Sequence, residues 1–156
     1  MKKFDSKSSI ILGMHDAIVS LTGLIAGLFF AFTDSNIIII SCIISSITAS
    51  ISMGAANYLA VRTTNRRHAL RSAIHTAAAY MATCALLIFP FFIFNERAII
   101  LSATIFMAVL IIFGFNLFFY RDGRFWKQFF EMFSICTLVS IIAFFIGEIA
   151  SKFFGI

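Results

Sequence analysis

Polar residues interrupt this chain at four short places, and the apolar stretches between them are of similar length. The interruptions read TDSN, RTTNRRHALR, NER and RDGRFWK. They divide the sequence into five apolar runs, at about 10–32, 37–61, 72–94, 98–120 and 128–154. Crossing about 30 Å of hydrocarbon as a helix takes about 20 residues, so each run is long enough to span a membrane. An open β structure would leave backbone groups unpaired in lipid, so the runs are read as helices. The pattern predicts an all-α membrane protein of five transmembrane helices. A polar tail at 1–9 precedes a single membrane domain at 10–156, with no linker, low-complexity tract or second domain.

Composition supports that reading. The chain is 61% hydrophobic and only 12% charged, far too little polar surface to cover a soluble core of 156 residues. A formal charge of +5 could suggest nucleic acid. The basic residues, however, collect in short segments between the apolar runs, where topology explains them better, and no nucleic-acid partner is expected. The tail carries Lys2, Lys3 and Lys7, the second connection Arg62, Arg66, Arg67 and Arg71, and the fourth Arg121, Arg124 and Lys127. Ten of the twelve Lys and Arg thus fall on one side, leaving Arg97 and Lys152 on the other. The positive-inside rule places the N-terminus in the cytoplasm and the C-terminus on the opposite side. Tyr120 and Trp126 flank the last cytoplasmic connection, as interfacial aromatics do. The apolar first run is read as an uncleaved span, not a signal peptide. Cys42, Cys84 and Cys136 all lie inside apolar runs and read as small buried hydrophobes, not as a disulfide or zinc framework.

The candidate chemistry lies in the few polar residues inside the spans. In GMHDAIVSLTGLIAGL, Gly13, Asp16, Ser20, Gly23 and Gly27 recur at steps of three and four and form one narrow helix face. Four of the five are small, so another helix can approach closely, and the carboxylate is aimed at a protein interface. An acid inside a membrane span is a functional candidate by default. On the second span Ser46, Ala49, Ser50, Met53, Ala56, Asn57 and Ala60 share a side. The second span runs back toward the cytoplasm, so Met53 and Asp16 lie at depths that match within a turn, with Asn57 one turn nearer the cytoplasm. Carboxylate and amide oxygens suit hard or borderline divalent cations, and a thioether tilts the choice toward Fe²⁺. Asp16, Met53 and Asn57 are the candidate metal ligands. The bland alternatives are a hydrogen-bonded buried acid for Asp16, packing for Met53 and an interhelical hydrogen bond for Asn57.

Other polar residues read as structural. His15 points about 100° away from Asp16 on a helix and is expected to pack near the headgroups. Arg71 and His75 are expected to snorkel to the interface. Pro90 kinks the third span near its end. Glu148 and Lys152 are spaced to pair, and Glu131 sits where a negative charge suits a helix start. No GxSxG, HExxH or phosphate-loop pattern is present, and the reading is of a protein that is not an enzyme.

The stretches GMHDAIVSLTGLIAGL and SISMGAANYLAVRT resemble the first two spans of the vacuolar iron transporter (VIT) family, whose second-span motif typically reads like SMAAGEYLS. The five-span layout and the start of the third span, SAIHTAAAYMATCALLIFPFF, resemble it as well. The resemblance implies export of Fe²⁺ or Mn²⁺ from the cytoplasm in exchange for protons, with no permanently bound cofactor. It further implies a homodimer through the first transmembrane helix within the lipid bilayer, and Asp16 and Met53 as metal-contacting residues. A bacterial inner membrane is the expected location. The chain departs from the family pattern twice: Asn57 stands where the motif has Glu, and the second connection lacks the long Glu-rich cytoplasmic domain found in many members. These departures keep open an alternative, a non-transporting membrane subunit that retains the VIT-like fold.

Overall fold

The computed structural model describes residues 6–64, 66–119 and 125–154. Six helices account for nearly all of them: α1 (Ser6–Ala31), α2 (Ser35–Thr64), α3 (Ala69–Ile88), α4 (Pro90–Ile93), α5 (Arg97–Phe119) and α6 (Phe125–Phe154). Five segments are long and apolar enough to cross a membrane, with α3 and α4 together forming one of them. Among the described residues there is no strand. The protein is an integral membrane protein of the all-α class, as the hydrophobic pattern predicts. Lys2, Lys3, Tyr120, Arg121 and Arg124, used above for orientation, lie outside the described residues.

The helix ends differ from the apolar runs in ways a bilayer explains. Helix α1 starts at Ser6, ahead of the apolar run, and α2 continues through Arg62 to Thr64. Helices extend into the headgroup region, where polar side chains are solvated while the backbone stays internally bonded. In the third span Phe89 keeps helical angles (φ −51°, ψ −40°) before Pro90 opens α4. Proline lacks the N–H that would continue the ladder, so the span is interrupted there, as expected.

The bundle is built around α1, which packs most extensively on α6 and α3, while α2 lies chiefly against α3. The contacts fix helix directions. Ser20 meets Tyr80 and Ser9 meets Ser72, so α1 and α3 run parallel. Arg97 at the start of α5 reaches the end of α1, and Phe115 near the end of α5 meets His15, so α5 is antiparallel to α1.

Polarity is reversed relative to a soluble domain. Ser9, Ser46, Ser50, Asn57, Ser72, Thr76, Thr83, Thr104 and Asn116 are buried, whereas Ile51, Leu70, Phe92, Phe118 and Phe153 are exposed. Lipid is as apolar as Leu, so close approach and interhelical hydrogen bonds hold such helices together in place of the hydrophobic effect. The glycines show how close that approach is. A Cβ on Gly13 would overlap the Thr76 carbonyl of α3, and one on Gly23 would come 2.7 Å from Val139 of α6. One on Gly27 would come 3.2 Å from the Ala143 carbonyl, and one on Gly147 would overlap the Gly27 carbonyl. The three cysteines are buried and free, as read from their apolar surroundings.

Candidate metal centre

Asp16 lies on α1 between two levels defined by α3. One turn before it, Gly13 rests on the backbone of Thr76 and Tyr80; one turn after it, Ser20 Oγ lies 2.7 Å from the Tyr80 hydroxyl. The Asp16 side chain is exposed on the single chain. Among the described residues it has no hydrogen-bond or ion-pair partner, although the Tyr80 hydroxyl and the Cys84 thiol are within its electrostatic reach. Its edge of the helix carries Leu12 and Ser20, both also exposed.

The predicted face of α1 therefore divides in two. Asp16 and Ser20 lie on the open edge, while the three glycines meet helices of the same chain, Gly13 against α3 and Gly23 and Gly27 against α6. The spacing identified small residues correctly as a seam. Residues three or four apart, however, still differ by 40° to 60° around the helix. Three neighbouring helices can share that spread, and here α3 and α6 take the glycine edges. A groove of about 580 Å³ opens between α1 and α6 from Ser20 onward, lined by Gly23, Gly27, Ala143 and Gly147.

Met53 is half-buried and packs against a core cluster that includes Ala17, Tyr80 and Cys84. Its neighbour Gly54 is buried, with a notional Cβ 3.1 Å from the Ala77 side chain and 3.3 Å from the Ala73 carbonyl. Asp16 and Met53 are both placed at the level of residues 77–80 of α3, so the depth match read from helix rise corresponds to the packing.

Asn57 is placed differently. It is buried, and its amide nitrogen donates to Ser72 Oγ at 2.9 Å and Thr76 Oγ1 at 2.5 Å. Ser72 Oγ is 2.6 Å from Ser9 Oγ, and the Thr76 hydroxyl donates to the Ser9 carbonyl at 3.0 Å. Asn57 thus spends both amide protons joining α2 to α3, in a network that also ties in α1. Only its carbonyl oxygen could face a cation. A neutral donor fits among these hydroxyls, which explains chemically how an amide serves at this position.

The small-residue face of α2 also needs correction. The buried stripe is Ile38, Cys42, Ser46, Ser50, Gly54 and Asn57, whereas Ala56 and Ala60 are exposed. Small residues occupy two adjacent faces of α2, so spacing alone did not choose between them. The face containing Gly54 permits the closer approach to α3.

Two functional-looking residues had weak sequence signals. Arg97 caps α1: its guanidinium donates to the carbonyls of Phe29 (2.6 Å), Phe32 (2.9 Å) and Thr33 (2.5 Å) and lies over the Phe29 ring. The Phe29 carbonyl is one of the orphans in the last turn of α1, and those of Phe32 and Thr33 follow just beyond it, at the negative end of the helix dipole. An Arg against the charge asymmetry was the available clue. His15 packs its ring edge-on to Phe115 of α5, with centroids 4.9 Å apart, and not toward the Asp16 edge. Glu148 and Lys152 pair at 2.7 Å as their spacing implies, in an exposed position of small energetic consequence.

Among the described residues no three His, Cys, Asp or Glu side chains gather into a metal-holding group. A single chain brings one carboxylate and one thioether to the Asp16 level. Residues 7–67 match the sequence model described as the VIT family. The match takes in about two fifths of the chain, and over that part the chain is similar to the VIT family. The matched part covers α1 and α2, the helices that carry Asp16, Met53 and Asn57. The VIT family points to transport of metal ions across a membrane, and its members are transporters rather than enzymes. No curated protein matches the chain.

Proposed function

We propose that the protein is a divalent metal transporter that exports Fe²⁺ or Mn²⁺ from the cytoplasm in exchange for protons. The carrying observation is Asp16: a carboxylate inside a membrane span, exposed on its own chain and without a hydrogen-bond or ion-pair partner among the described residues. An unsatisfied carboxylate facing hydrocarbon is costly, so this edge of α1 calls for protein, water or a cation. A homodimer through α1 would set two Asp16 and two Met53 around a two-fold axis, giving an ion the ligands that one chain lacks. The groove that starts at Ser20 gives a second copy a small-residue surface to approach. A divalent ion would offset the desolvation of two carboxylates, and proton arrival at Asp16 from the far side would release the metal. Charge placement favours a cytoplasmic N-terminus, and the cell membrane of a bacterium is the proposed location.

The test is Fe²⁺ or Mn²⁺ flux in proteoliposomes. Asp16→Asn and Asp16→Ala are expected to fall to the level of empty vesicles, and undiminished flux in both variants rejects the mechanism. A second reading, a non-transporting subunit with a VIT-like fold, draws on Asn57, whose amide protons are spent in the helix seam. Asp16-dependent metal flux by the wild-type chain excludes that reading.

A further inference from the structure

On the side of α1 turned away from the Asp16 edge, two buried polar atoms have no hydrogen-bond partner among the described residues: His15 Nε2 and Asn116 Oδ1. Ser46 Oγ shares that status, but the Cys84 thiol lies near it. Asn116 is fully buried, and its amide nitrogen donates to the Ile112 carbonyl of its own helix at 2.8 Å. That bond fixes the side chain and leaves the carbonyl oxygen as the free end.

The packing puts the two atoms at one level. Ile18 of α1, Ile112 of α5, and Met132 and Cys136 of α6 form a common cluster. His15 lies one turn before Ile18, and Asn116 one turn after Ile112. Because α1 and α5 are antiparallel, those turns coincide, and the His15 ring indeed meets Phe115, the neighbour of Asn116. Glu131, next to Met132 on α6, lies within electrostatic reach of His15. Three helices therefore carry an imidazole nitrogen, an amide oxygen and a carboxylate at about one level, between two and three turns into α1.

The inventory has a consistent chemistry. A buried amide oxygen without a donor costs about 1–3 kcal/mol, which a structure usually avoids. Imidazole nitrogen combined with two oxygens is a donor set for a divalent transition ion. We propose that His15, Asn116 and Glu131 form a second divalent-cation site between α1, α5 and α6, at nearly the depth of Asp16 but on a different face of α1. Glu131 is exposed, which leaves the site an approach from the end of the bundle. The proposal rests on these residues and not on the transport reading, although it would give such a transporter a holding site beside its path.

Co²⁺ is a suitable probe, because its visible spectrum reports nitrogen ligation. It would be titrated into the full chain in lipid nanodiscs, for wild type, Asp16→Asn, His15→Gln and Asn116→Leu. The expected result is a Co²⁺ spectrum that persists in Asp16→Asn, is lost in His15→Gln, and needs at least about tenfold more Co²⁺ in Asn116→Leu. Helicity and monodispersity identify variants that fold, and Glu131→Gln supplies a further exposed variant whose binding should weaken. If folded His15→Gln, Asn116→Leu and Glu131→Gln bind Co²⁺ as wild type does, the site is overturned. If wild type shows no nitrogen-ligated Co²⁺, it is also overturned. Loss of binding in Asp16→Asn alone would instead place the ion at Asp16. Flux that fails while the spectrum persists would reject the transport reading and leave this site intact.

Discussion

The seam where α1, α2 and α3 meet and the open edge of α1 contain similar polar chemistry, used in opposite ways. In the seam, Ser9, Asn57, Ser72 and Thr76 answer one another with hydrogen bonds of 2.5–3.1 Å. On the open edge, about two turns into the first membrane span, Asp16 has no hydrogen-bond or ion-pair partner among the described residues of its own chain. The seam spends its polar groups on holding helices together, where lipid offers no hydrophobic drive. The open edge withholds one from the fold, which is what a group meant for an ion or a second copy requires. Neutral amides and hydroxyls suit the first task because they satisfy each other without charge. A carboxylate suits the second, because its cost in lipid is relieved when a cation arrives.

This contrast can be broken by substitution. The largest effect is expected from Gly13→Leu. Even a Cβ would fall on the Thr76 carbonyl, so α1 must shift away from α3 and the seam network is lost. Destabilisation of about 3 kcal/mol or more is expected, read as a lower unfolding midpoint in detergent; a midpoint equal to wild type would refute such close packing. Asn57→Leu should come next. It removes two interhelical hydrogen bonds and should cost about 1–2 kcal/mol in the same assay, since such bonds in membranes are individually modest. Asn57→Asp is a sharper version, because it puts a charge among the hydroxyls and should cost more than Leu. A third prediction concerns the open edge. Asp16→Asn should change the unfolding free energy of the metal-free protein by no more than about 0.5 kcal/mol, since no hydrogen bond or ion pair among the described residues is removed. A large loss of stability there would mean that Asp16 is structural and would erase the contrast. The smallest effect belongs to Gly114→Ala. A Cβ at Gly114 meets nothing within 4 Å, so the change should be neutral or stabilising by up to about 1 kcal/mol through helix propensity.

Arg97 shows a different limit on reading function from charge. Counted with the loops, it is merely an exception to the asymmetry. In the fold it closes the end of α1 by meeting three carbonyls. Trp126 shows the converse. It sits at the start of α6, is 63% exposed and stacks on Phe130 with centroids 5.8 Å apart, in keeping with its interfacial reading.

The sequence by itself determined the class of the protein, the five spans and the depth of the acid. Those properties depend on run length, composition and helix rise, all of which are local. It also singled out Asp16 and the small-residue edges, because a carboxylate and repeated glycines stand out against Phe, Ile and Leu. Only the tertiary structure decided which helix each edge meets. Gly13 went to α3, Gly23 and Gly27 went to α6, and Asp16 and Ser20 were left on the open edge. Likewise the pairing of Asn57 with Ser72 and Thr76, and the packing of His15 on Phe115, depend on the relative rotation and slide of whole helices. In a bilayer many apolar faces are equally acceptable to lipid. Rotation is then set by small differences in close approach and hydrogen bonding between distant segments, and no local pattern contains them.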